Sequence, residues 1–310
     1  MDGNKLPRKL TAIFLDEHNT LRSGVRFAIF VAVFVIVGAT LGAIVLAAFS
    51  GMGEANSLGF MLLNAAVALS AALFAGWFCG KYLEGLPFEA LGASFAGPWA
   101  KNLALGLGLG AASLSLAVLV AYLSGGVTFS FNAAADGRAI IFSMAASAAV
   151  LFVAAAFEEV LFRGYMMQTF FRSNLAVFGV LLTSVLFASV HNTNPNATVF
   201  SWANTFIAGI WFAVAYLKTR ELWFVTGLHF MWNWMQGAFY GIEVSGLREL
   251  IPAPLMLESD SGPAWLTGGE YGLEGGIACT VALIISTAAI WLFPLKRSAA
   301  TLPNTTTPVP

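Results

Sequence analysis

The chain is 310 residues long, 58% hydrophobic and only 10% charged, where a soluble domain carries about a quarter charged residues. A mean hydropathy of +0.80 points to several membrane spans rather than a pair of soluble domains. The net charge of −1 gives no reason to expect a nucleic-acid partner, and the two cysteines, Cys79 and Cys279, sit in apolar runs that do not suggest a disulfide framework.

The first 22 residues contain Lys5, Arg8, Lys9, Asp16, Glu17 and Arg22 and no adequate apolar core, so no cleavable signal peptide is expected. Residues 5–16 fit either a helix lying on the inner membrane surface or a solvated leader, and 1–25 reads as a cytoplasmic segment. A spanning helix takes about 20 apolar residues. Eight runs approach that length, at roughly 26–49, 58–79, 103–123, 139–168, 175–191, 199–217, 222–240 and 275–293. The expected fold is therefore an all-α polytopic membrane domain over 26–295. The long acidic connection 241–274 is placed to cap the outer face, and the Pro/Thr-rich tail 296–310 reads as disordered. No internal repeat stands out.

The basic residues test the span count. With the N-terminus inside, thirteen Lys and Arg fall on inner segments and only Arg138 and Arg248 on outer ones. That bias supports eight spans with both termini cytoplasmic.

Ionisable residues within spans are costly and tend to face a bundle interior. Glu158, Glu159, Arg163, His191 and His229 are such residues, and Asn233 adds a neutral polar group. Glu159 and Arg163 stand i,i+4 and can pair, while Glu158 points about 100° away. This suggests that Glu159 compensates the arginine and leaves Glu158 for chemistry. His229 and Asn233 are also i,i+4. At 1.5 Å per residue from the inner boundary, Glu158, His191, Asn233 and His229 fall at roughly 20, 24, 18 and 12 Å, which is compatible with one cluster.

A carboxylate beside an imidazole can hold and deprotonate a water. A second imidazole with an amide can donate to the oxyanion of a tetrahedral intermediate. Alternatively, Glu158, His191 and His229 can ligate a divalent metal that activates the water. The sequence has no HExxH pair and no GxSxG elbow.

In order, EEVLFR (158–163), FASVH (187–191) and HFMWN (229–233) resemble the EExxxR, FxxxH and HxxxN motifs of the CAAX protease and bacteriocin-processing family of intramembrane proteases. LPFEALGASF (86–95) is similar to a loop that often precedes that family's core. The resemblance implies a glutamate-dependent intramembrane endopeptidase of eight helices, with its core at about 139–240. Its substrate would be a membrane-associated or prenylated protein or peptide in the lipid bilayer. Glu158 would be the general base and His191 would position the water. His229 and Asn233 would form the oxyanion site, with Glu159 and Arg163 in support. The family is described as metalloproteases, yet its eukaryotic member is also viewed as working without a bound catalytic metal. Zn2+ is therefore an allowed cofactor, not a required one.

Two other readings fit intramembrane Glu and His. One is a proton-coupled transporter, against which stands the lack of an internal repeat or interrupted helices. The other is a non-proteolytic partner such as a bacteriocin self-immunity protein. Phe157, Phe187, Trp232 and Trp234 are candidates to line a cavity for a prenyl chain, or to pack elsewhere as ordinary aromatics.

Overall fold

A computed structural model describes residues 13–49 and 57–295. Most of the expected surface segment 5–16, and the whole of the tail 296–310, lie outside the described residues. Eight main helices follow the eight apolar runs: α1 (Ser23–Phe49), α2 (Leu58–Glu84), α3 (Trp99–Leu123), α4 (Gly137–Arg172), α5 (Ala176–His191), α6 (Val199–Thr219), α7 (Leu222–Trp234) and α8 (Ile277–Leu292). Among the described residues, α1, α2, α3, α4 and α6 are long and apolar enough to cross a membrane, and α5 and α8 are shorter apolar helices. The chain is thus an integral, multi-pass, predominantly helical membrane protein. Several helices start where side-chain oxygens take up free amides. Ser57 accepts from the Phe60 amide, Asp136 from that of Arg138, and Thr198 and Ser201 form a reciprocal box.

Two short strands depart from the all-α expectation. Val127–Phe131 and Met256–Asp260 pair antiparallel, Val127 opposite Asp260 and Phe131 opposite Met256. The alternation of VTFSF suits a two-faced strand, and Phe129 packs on Tyr240 with ring centroids 5.4 Å apart. Five residues between two long apolar runs are too few for that alternation to stand out in the sequence. The pairing pins the 241–274 connection to the loop after α3.

One end of the bundle gathers the basic residues. Glu84 of α2 accepts from Arg26 of α1 and, through both oxygens, from Arg172 of α4 at 2.9 and 2.7 Å. The Arg220 guanidinium lies 5.6 Å over the Phe171 ring beside them.

α4 is not continuous. Gly137–Leu161 is followed by a wider π-type turn at Phe162–Met166, in which Gly164 takes ψ −129°, before the helix resumes to Arg172. Gln168 sits below this break and donates to the carbonyls of Arg163 (3.1 Å) and Leu91 (2.9 Å). Leu91 belongs to the 86–95 loop. That loop also takes the Leu222 amide on Gly92 O and the Trp223 indole on Ser94 O, each at 2.9 Å. It therefore ties the break in α4 to the start of α7.

Glycines set how closely α7 packs. A Cβ on Gly106 of α3 would lie 2.1 Å from Phe224 O, and one on Gly110 2.4 Å from Leu228 O. From the other side, a Cβ on Gly227 would lie 2.6 Å from Leu103 O. This is a small-xxx-small crossing, in which missing side chains let two backbones approach. Leu228 and Gly227 immediately precede His229.

Candidate active site

Four helices converge on the polar residues. Glu159 of α4 is fully buried, and its Oε1 accepts from Arg163 at 3.1 Å. The same oxygen accepts the Nδ1–H of His229 from α7 at 2.8 Å. A carboxylate can only accept here, so Nδ1 is the protonated nitrogen of that ring. Glu159 thus does more than compensate an arginine: it also fixes the tautomer and tilt of a site histidine. Arg163 completes its surroundings by donating to Gly209 O of α6 at 3.2 Å, and its guanidinium lies 4.5 and 5.0 Å from the ring centroids of Phe187 and Phe212. Phe212 in turn stacks on His229 at 4.5 Å and 24°.

His191 ends α5. Its Nδ1 faces Phe187 O at 2.7 Å, again an acceptor, so this ring is held the same way. Both histidines therefore direct Nε2 away from their anchors, and both Nε2 atoms lie 3.8 Å from Glu158 Oε2. That oxygen is shielded from solvent and has no hydrogen-bond partner among the described residues, though the Glu158 side chain as a whole is 23% exposed. A carboxylate oxygen and two imidazole nitrogens facing one another at 3.8 Å leave a place for a group that can donate protons to them, of which water is the smallest.

Asn233 is half-buried and its side chain makes no hydrogen bond among the described residues, but it shares a cavity of about 30 Å³ with His191 and His229. Phe187 and Trp232 line this cavity. Phe157 instead stacks on Phe34, and the Trp234 indole donates to Met144 O, so these two are packing aromatics. Sequence reasoning missed the opposite wall, where Glu274 lines the cavity together with Asn204 and Ser245. It also missed the stacking partner Phe212. The i+3 spacing of Gly209 and Phe212 on α6 was the available signal for one face meeting the site.

His and Glu are suitable zinc ligands. Among the described residues, however, no group of three His, Cys, Asp or Glu is arranged to hold a metal ion.

These features define a multi-pass helical membrane protein with a glutamate–histidine cluster enclosed between its helices. The family described as Type II CAAX prenyl endopeptidase Rce1-like matches residues 139–235, which run from α4 to just past α7 and contain all six polar residues. The match takes in under a third of the chain. No curated protein matches it. The match and the buried acidic/histidine cluster together support a protease-like site.

Proposed function

We propose that the chain is an intramembrane endopeptidase that hydrolyses a peptide bond of a membrane-associated or lipidated, CAAX-type protein or peptide. The observation that carries this reading is the unpartnered Glu158 Oε2, 3.8 Å from the Nε2 atoms of His191 and His229. In the reaction, Glu158 accepts a proton from a water oriented by His191 Nε2, and the water oxygen adds to the scissile carbonyl. Glu158 then returns the proton to the leaving amine as the C–N bond breaks, so the base is regenerated. Asn233 supplies a neutral donor to the oxyanion. Because Nδ1 of His229 is engaged by Glu159, that ring donates from Nε2 only in its doubly protonated form. The CAAX-type substrate class is supported by the description of the matching family.

The test is cleavage in detergent of a peptide set that mixes farnesylated CAAX peptides with double-glycine leader peptides, for wild type and Glu158→Gln, each with and without chelator. A general base contributes about 10²–10⁴-fold, and a loss of that size in a folded variant is expected. Full activity of Glu158→Gln would overturn the mechanism. Loss on chelation would bring a metal into the site.

A further inference from the structure

The face of the α6–α8 pair turned away from the catalytic cavity forms a second concavity. Ile207, Ile210 and Val214 of α6 and Ile284, Ala288 and Trp291 of α8 wall a groove of about 490 Å³. That volume is within the roughly 300–1,000 Å³ of small-molecule sites. The α6 residues form one helical stripe, and the next position along it, four residues past Val214, is Lys218. An otherwise apolar trough between two membrane helices therefore ends in an ammonium group.

Lys218 already has a structural task. Its Nζ donates to Trp291 O at 2.7 Å, among the free carbonyls that end α8, and lies 5.6 Å over the Trp291 ring. This occupies one of three N–H donors. Three other cations placed on inner segments by the sequence are paired with carboxylates, Arg26 and Arg172 with Glu84 and Arg163 with Glu159. Lys296 and Arg297 follow Leu295 in the sequence. Basic residues at the cytoplasmic ends of helix pairs attract anionic lipid headgroups.

We infer that the α6–α8 groove binds an anionic phospholipid, with one acyl chain along the trough and its phosphate on the remaining Lys218 donors. The inference is independent of the proteolytic reading, because no residue of the groove belongs to the glutamate–histidine cluster.

The experiment is native mass spectrometry of the full chain purified in detergent and exposed to equal amounts of phosphatidylglycerol and phosphatidylcholine. Wild type is expected to retain the anionic lipid at least several-fold over the zwitterionic one. Lys218→Gln should remove that preference. Ala288→Trp, which fills an exposed position in the groove while leaving Lys218 in place, should lower retention of either lipid with the unfolding midpoint unchanged. Equal retention of the two lipids by wild type would overturn the proposal. So would a preference that survives Lys218→Gln, or one lost only when Lys296 and Arg297 are neutralised.

Discussion

Glu159 Oε1 and His229 Nδ1 are 2.8 Å apart, and that oxygen also receives Arg163 at 3.1 Å. One buried carboxylate oxygen therefore couples the charge balance of α4 to the orientation of a site histidine on α7. The adjacent Glu158 has no such bond. Two neighbouring glutamates on one helix have separate tasks because 100° of rotation turns one into the bundle and the other toward the histidine Nε2 atoms.

That division predicts opposite responses to mutation. Glu159→Ala leaves Arg163, 1% exposed, without its counter-charge, a change that typically costs about 3–5 kcal/mol. Glu158→Gln removes no hydrogen bond and should leave stability within about 0.5 kcal/mol while lowering cleavage by about 10²–10⁴-fold. Thermal unfolding of both variants in detergent decides the matter. Equal midpoints would show that Glu159 is not the structural member of the pair.

The glycine crossing gives a second prediction. A methyl group at Gly106 would meet Phe224 O at 2.1 Å, whereas one at Gly108 would have nothing within 4 Å. Gly106→Ala should push α7 off α3 and displace His229. A misplacement of about 1 Å at a catalytic group can cost on the order of 10²-fold. Gly108→Ala is the matched control, with the same chemistry and no clash, and should keep wild-type cleavage. Similar rates for the two variants would mean that the close approach does not set the position of His229.

Much of this site is legible in the sequence, since charged and imidazole groups in apolar runs have few places to go but inward. The i,i+4 spacing of Glu159 and Arg163 was sufficient to predict their pairing. Spacing along one helix cannot show which residue of another helix arrives opposite. The bond from His229 to Glu159, and the consequent limit on what His229 can donate, depend on how closely α3 and α7 approach. That approach is written in LALGLGLG (103–110), but only as missing side chains. The strand pairing of 127–131 with 256–260 and the arrival of Glu274 at the cavity are long-range contacts of the kind local periodicity does not carry.

On the strand pair, Glu258 is partly buried near Asp260 and Glu243, and burial followed by those two charges pushes its carboxyl up to about 7. Arg248, at 2.9 Å, is engaged by Glu243. Because the folded state holds the proton more tightly than the unfolded one, this group's stabilising contribution is present below about pH 4.5 and is lost as pH rises through about 7. The unfolding midpoint should fall between pH 6 and pH 8, and Glu258→Gln should flatten that slope. Allowing for partial exposure, the effect is on the order of 1 kcal/mol. An unchanged slope in the variant would remove Glu258 as its source.

Glu274 joins the 241–274 connection to α7. Its Oε1 accepts from the Trp232 indole at 3.2 Å, and its Oε2 accepts the amide and hydroxyl of Ser245 at 2.8 and 2.6 Å. Ser245 sits at φ 50°, a left-handed conformation that a side chain other than glycine adopts at some cost, so the bond to its amide helps hold it there. Trp232 immediately precedes Asn233, which places the proposed oxyanion donor within reach of this clamp. Hydrogen bonds to a charged acceptor contribute about 1.5–3 kcal/mol each, and Glu274→Ala removes three. The variant should open the 241–274 segment to added protease and lower kcat by about tenfold through a displaced Asn233. Ser245→Ala, which deletes only the hydroxyl bond, should fall between it and wild type. If Glu274→Ala exposes the loop but leaves kcat within a factor of about two, the clamp holds the 241–274 segment without positioning Asn233.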